Sequence, residues 1–216
     1  MKSLLITLLS TICISHAATT ITAANFSLST ASPGQYGTQI VTDSVAKTPY
    51  VGSYMIGTFN TTTGLDAVGS ISLSSFGWTQ FGSNANFESL ASRRGLFGTN
   101  GVTGTLPTTD NTGLVGKTIF VVIANATNSD YIIWNSGRNF AKELEGVGGA
   151  AVSFTTRDAG VSLLRGIVVE NGNNGLTGAS AGLNGQNAVT FGMIPEASTS
   201  LLGAIGALAL LRRRRN

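Results

Sequence analysis

Seven residues, Thr118–Ala124, constrain this chain more than any others: Thr-Ile-Phe-Val-Val-Ile-Ala. A run this short, apolar and β-branched, flanked by Gly116 and by a polar stretch at 125–130, predicts a strand buried on both faces. Tyr131-Ile132-Ile133-Trp134 follows after a turn-length gap, so the two are expected to pair as an antiparallel hairpin.

The rest of the chain speaks the same language. Gly, Ser, Thr and Asn are everywhere and charged residues make up only 11%, the vocabulary of strands and tight turns. Strands are expected over residues 19–30, 36–45, 51–59 (with Gly57 as a bulge), 150–155, 163–170 and 189–193, with a glycine-rich strand or loop at 98–106. Residues 65–81 fit neither period, which predicts a short helix or an irregular crossing, and another short element is expected within 86–97. Residues 140–145 suggest a single helical turn. Residues 171–187, uncharged and dominated by Gly and Asn, predict a flexible loop. Short strands with turns between them, and no amphipathic helix of about ten residues or more, argue an all-β fold: an antiparallel β-sandwich or jelly-roll-like domain over residues 18–193.

The two ends read as handling signals. Met1-Lys2, the apolar run 4–14 and Ser15-His16-Ala17 have the form of a secretory signal peptide, residues 1–17. Cleavage is expected after Ala17, with Ala18 close behind. Cys13 does not make a lipidation site, because Ile12 stands where a small residue is needed. At the other end, residues 194–216 hold Pro195-Glu196-Ala197, an uncharged apolar run at 201–211, and then Arg212, Arg213, Arg214 and Arg215. An apolar segment closed by cations is expected to leave the arginines on the cytoplasmic side of a membrane. The apolar run is short beside the roughly 20 residues of a spanning helix, a shortfall that snorkelling arginines and local thinning reduce.

This order of motif, apolar helix and arginines resembles the PEP-CTERM sorting signal of exopolysaccharide-producing Gram-negative bacteria. Ala197 stands where the family has its second proline. The resemblance implies export by the Sec machinery, transient anchoring in the inner membrane, processing by exosortase near Pro195 and Glu196, and release to the cell surface or extracellular matrix. It also implies a host that secretes polysaccharide. It covers the tail alone and carries no activity for the domain in front of it. The run Gly116-Lys117-Thr118-Ile119-Phe120, with the Tyr-Ile-Ile-Trp strand after it, loosely resembles domains common in such proteins.

Removing the two signals changes the charge argument. The precursor has 13 basic and 10 acidic residues, net +3. Lys2, the four terminal arginines and Glu196 lie in the signals, leaving eight bases against nine acids. Only Arg93-Arg94 is locally basic, so no nucleic-acid footprint remains. Cys13 and His16, the only cysteine and the only histidine, also leave with the signal peptide. The exported domain therefore lacks a thiol nucleophile, a disulfide, a histidine base and a Cys- or His-ligated metal. No cofactor is expected.

The remaining chemistry is sparse. Residues 111–118 end in Gly-Lys-Thr, but Asn111 replaces the first glycine of a phosphate-binding loop, and the segment opens a strand rather than a helix. Three Asn-x-Ser/Thr matches, at Asn25, Asn60 and Asn125, are expected by composition. Glu143 and Glu145 are the one carboxylate pair that suggests glycosidase chemistry, and a solvated face suits them better. Asp110, Asp130 and Asp158 are too scattered for a calcium loop. Trp78, Tyr131 and Trp134 are the candidate sugar-stacking platform, weighed against core packing. The leading expectation is a non-enzymatic exported surface or matrix protein. The alternative is a carbohydrate-binding module, and a glycosidase lies further off.

Overall fold

The structure, a computed structural model, describes residues 18–25, 39–89, 94–98, 101–105, 113–141, 152–156, 158–176 and 184–192. The described chain is all-β, with strands β1 Ala18–Ala24, β2 Ile40–Val41, β3 Ser53–Thr58, β4 Thr79–Asn86, β5 Val102–Thr105, β6 Thr118–Ala124, β7 Tyr131–Asn139, β8 Val152–Thr155, β9 Ser162–Arg165, β10 Ile167–Val169 and β11 Ala188–Thr190. A 3₁₀ turn, Leu73–Phe76, is the only helical element among the described residues.

The largest sheet has the order β4-β3-β6-β7-β9 and is antiparallel throughout. Its centre is the expected hairpin: β6 pairs with β7, with Val121 opposite Trp134 and Val122 opposite Ile133. Strand alternation sends Ile119, Val121, Ile123, Ile132 and Trp134 to one face and Phe120, Val122, Tyr131 and Ile133 to the other. Both faces are buried. The first is covered by Ile21 and Ala23 of β1, Val102 of β5, Phe154 of β8, Ile40 of β2 and Val189 of β11, which together form the main core. The second is covered by the crossing between β3 and β4. This strap brings down Phe59 and Leu65, with Ile71, Leu73, Phe76 and Trp78 around them. Residues 65–81 are thus a 3₁₀ turn inside an irregular crossing that leads into β4. They lack a period because their task is to cap a sheet face.

Two three-stranded sheets, β5-β1-β8 and β10-β11-β2, complete the layers. The pairs β1–β8 and β11–β2 are parallel, a departure from the wholly antiparallel expectation. Both join segments far apart in sequence, so no hairpin connection dictates their direction.

Several boundaries differ from expectation for local reasons. Of the strand expected over 36–45, residues 36–38 lie outside the described residues and the rest holds only the two-residue β2, because the Asp43 carboxylate accepts the amides of Val45 and Ala46 and turns the chain. Gly57 is not a bulge. It lies in regular pairing with Phe120 and Gln80, and a Cβ there would strike the Trp78 ring at 2.7 Å. The irregularity is on β4, where residues 82–84 stand opposite the single Met55. The strand expected over 163–170 breaks at Gly166 (φ 134°) into β9 and β10, which belong to different sheets. The described part of the 171–187 loop is held by amides. Asn173 Oδ1 accepts the Gln39 amide at 2.9 Å, Gln39 Oε1 accepts that of Asn174 at 3.0 Å, and Asn184 bonds both N–H and C=O of Leu176. Residues 142–145 and 193, and the far part of the first expected strand, lie outside the described residues.

Candidate functional site

The strap that caps the second face is the part of the domain with site-like geometry, and one residue holds it there. Arg165, the last residue of β9, is 1% exposed and uses every N–H of its guanidinium. Nε and Nη2 donate to Asp130 Oδ1 at 3.0 and 2.8 Å, and Nη1 donates to the carbonyls of Leu65 and Ala67 at 3.2 and 2.7 Å. Nη2 also donates to the carbonyl of Gly69. A buried guanidinium is tolerable only when paired and fully hydrogen-bonded, and here the partners are supplied by the strap itself. The strap is pinned at its ends as well: the amide of Asn60 donates to Phe76 O at 3.0 Å, and Lys117 Nζ donates to Asn60 Oδ1 at 2.7 Å.

Two clefts open on either side of the strap's first turn. One, of about 450 Å³, lies between residues 62–66 and Asn135, Leu163 and Leu164. The other, of about 470 Å³, lies between residues 59–63 and residues 116–118 with Phe120. Thr62 and Thr63 line both. Their walls are hydroxyls and amides, with Asp66 in one and Lys117 in the other.

The residues singled out in the sequence are dispersed differently. Trp134 faces the main core while Tyr131 faces the strap, and Trp78 packs on Phe59 with ring centroids 4.7 Å apart. The three aromatics therefore form no common platform; each is occupied with packing. Tyr54 is likewise a core residue, its phenol pushed up to about 12 by burial and by the charge of Glu88. Asp130 is committed to Arg165. Asp158 accepts the amide and hydroxyl of Thr155 and pairs with Arg138 at 3.5 Å. Among the described residues no group of three or more His, Cys, Asp or Glu is placed to hold a metal. Asn25 is fully buried, with Nδ2 on Gly95 O and Oδ1 on the Phe97 amide, so it cannot be a glycan acceptor in the folded chain. The Gly-Lys-Thr run is a turn closed by the Lys117 amide on Leu114 O, leading into β6.

Asp110, Glu143, Glu145, Ala17, Pro195, Glu196, Ala197 and Arg212 to Arg215 lie outside the described residues, and Ala18 opens β1. No helix among the described residues is long and apolar enough to cross a membrane. The clefts themselves were missed in the sequence, because Asn60-Thr61-Thr62-Thr63 reads as any polar loop and its anchor, Arg165, lies about a hundred residues away. No protein-family model matches the chain, and no characterised sequence or solved structure is significantly similar to it.

Proposed function

We propose that the chain is an exported, non-catalytic surface or extracellular-matrix protein. Its two-layered β-sandwich domain is delivered by an N-terminal signal peptide, held in the inner membrane through residues 194–216, and processed by exosortase. The observation that carries this reading is how the described strands sit between the two motifs. Ala18, the first described residue, is already paired in β1, and β11 ends at Thr190, five residues before Pro195. Both are middle strands of their sheets. Export and processing at the two motifs would leave every described strand in place, whereas a cut a few residues further in would remove the centre of a sheet. Ala18 pairs with Thr105, which favours cleavage after Ala17 over cleavage after Ala18.

Mass spectrometry of the surface fraction of the native host tests the reading. The expected species starts at Ala18 and lacks residues 201–216. A surface protein that retains the arginines would overturn the processing step, and one that retains residues 1–17 would overturn the signal peptide.

A further inference from the structure

We infer that the two clefts beside Thr62 and Thr63 form one binding groove for an extended acidic polysaccharide. The inference rests on the folded domain and stands independently of the tail. Three observations meet here. The first is continuity. The clefts share Thr62 and Thr63, and their floor passes from Phe120 on β6 to Asn135 on β7 and Leu164 on β9. Three adjacent strands span about 10 Å, so the groove suits a chain lying across the sheet better than a single small molecule.

The second is unused hydrogen-bonding capacity. Thr62 and Thr63 are exposed, and among the described residues their hydroxyls make no hydrogen bond. Asn135 Oδ1 takes the Gly137 amide, which leaves its NH₂ facing the cleft side of the sheet. Lys117 spends one N–H on Asn60 and keeps two. Hydroxyls, amides and the Asp66 carboxylate match sugar hydroxyls, while Leu164, on the strap face of the sheet, offers an apolar floor for ring C–H groups. Lys117 is the one cation lining either cleft, and it favours a carboxylate-bearing unit, such as a uronate, in its own cleft, while Asp66 in the other cleft accepts from hydroxyls of the neighbouring unit.

The third is rigidity. Arg165 fixes the carbonyls of Leu65, Ala67 and Gly69, and the strap's ends are zipped at Phe76. A lip already held in place loses little entropy when a ligand settles on it.

Trp78 supplies the readout, because it packs on Phe59 in the wall of one cleft. The full-length chain in detergent is titrated with alginate oligomers and, separately, with dextran oligomers of the same length, following tryptophan fluorescence. Saturable alginate binding, at least about tenfold tighter than dextran, is expected. Lys117→Gln should erase the preference, and Thr62→Glu should weaken alginate binding by about tenfold or more. Ser153→Glu, an exposed change on β8 in another sheet, should leave it at the wild-type value. Equal binding of both oligomers, no saturable binding of either, or a Ser153→Glu loss as large as that of Thr62→Glu would overturn the inference. So would Lys117→Gln or Thr62→Glu binding like wild type.

Discussion

At the scale of single residues, Arg165 does the most and was the least visible. It sits at the end of a short apolar strand, where a charged residue ordinarily marks the solvent side, and its partners lie 35 and about 100 positions away. Arg165→Met keeps the bulk and removes the donors, leaving Asp130 and three carbonyls short of partners. A loss of about 3–5 kcal/mol is expected, read as a lower urea midpoint together with new proteolytic cuts near residues 65–69. A strap that stays protease-resistant in this variant would show that apolar packing alone holds it. Tyr54 gives a pH test. Its phenol ionises near 10.0 in the unfolded chain and near 12 in the folded one, because burial and then Glu88 disfavour the charged form. Its contribution is intact below pH 10 and falls as pH rises from about 10 to about 12, since the unfolded state releases its proton first. Tyr50 shifts in the same direction through burial. Urea midpoints measured across that window should fall less steeply in Tyr54→Phe than in wild type. Unlike Arg165, Tyr54 was legible: strand alternation with Ile56 and Thr58 marks one face of β3, and all three are buried.

At the scale of elements, what could be read was what local pattern decides. β6 has the expected bounds because every residue in it is apolar or β-branched and its flanks are not. Its hairpin partner was found too, though β7 runs on past Trp134 to Asn139 through polar residues. The change of sheet between β9 and β10 was not legible, since Leu163-Leu164-Arg165-Gly166-Ile167-Val168-Val169 reads as one strand. Gly166 makes the corner. Its φ of 134° lies where L side chains are rarely found, and a Cβ there would stand 2.9 Å from Val189 Cγ1 and 3.4 Å from Ile132 Cγ2. Gly166→Ala should therefore cost about 1–3 kcal/mol through backbone strain. It should also slacken the contact of β11 with the main core. Amide exchange would report this as faster exchange at Val189, whose N–H bonds Gln39 O, with β6 little changed. Uniform loosening of β6 and β11 together would mean that the corner does not separate two sheets. The Asn-rich loop carries the same lesson. Gly and Asn predicted mobility from composition, whereas in the described part the side chains of Asn173, Asn184 and Gln39 act as substitutes for backbone pairing.

At the scale of the whole molecule, the ordering of signals and strands makes the tail the deciding experiment. If Arg212 to Arg215 stay in the cytoplasm, the apolar run leads outward and Pro195-Glu196 emerges at the outer face of the inner membrane. The last residue of β11, Thr190, is five residues from Pro195, and an extended chain covers at most about 3.6 Å per residue. The motif is therefore within roughly 18 Å of a folded strand, and on the proposed route a protease would work close to both the bilayer and the domain. On the proposed route Pro195 would help, because proline disfavours helix in the residue before it and would so favour an extended Ile194 in a protease cleft. Replacing all four arginines by Asn should cost retention or orientation, so that unprocessed chain leaks into the medium or inserts inverted. Replacing Pro195 and Glu196 by Ala should instead leave full-length chain in the membrane fraction with its orientation unchanged. Immunoblots of membrane, surface and medium fractions, with tags on either side of residue 194, separate the two failures. A double-Ala variant still cut like wild type would place the processing signal elsewhere in residues 194–216. An all-Asn variant that is retained and correctly oriented would leave the apolar run as sufficient anchor and remove the arginines from the sorting argument.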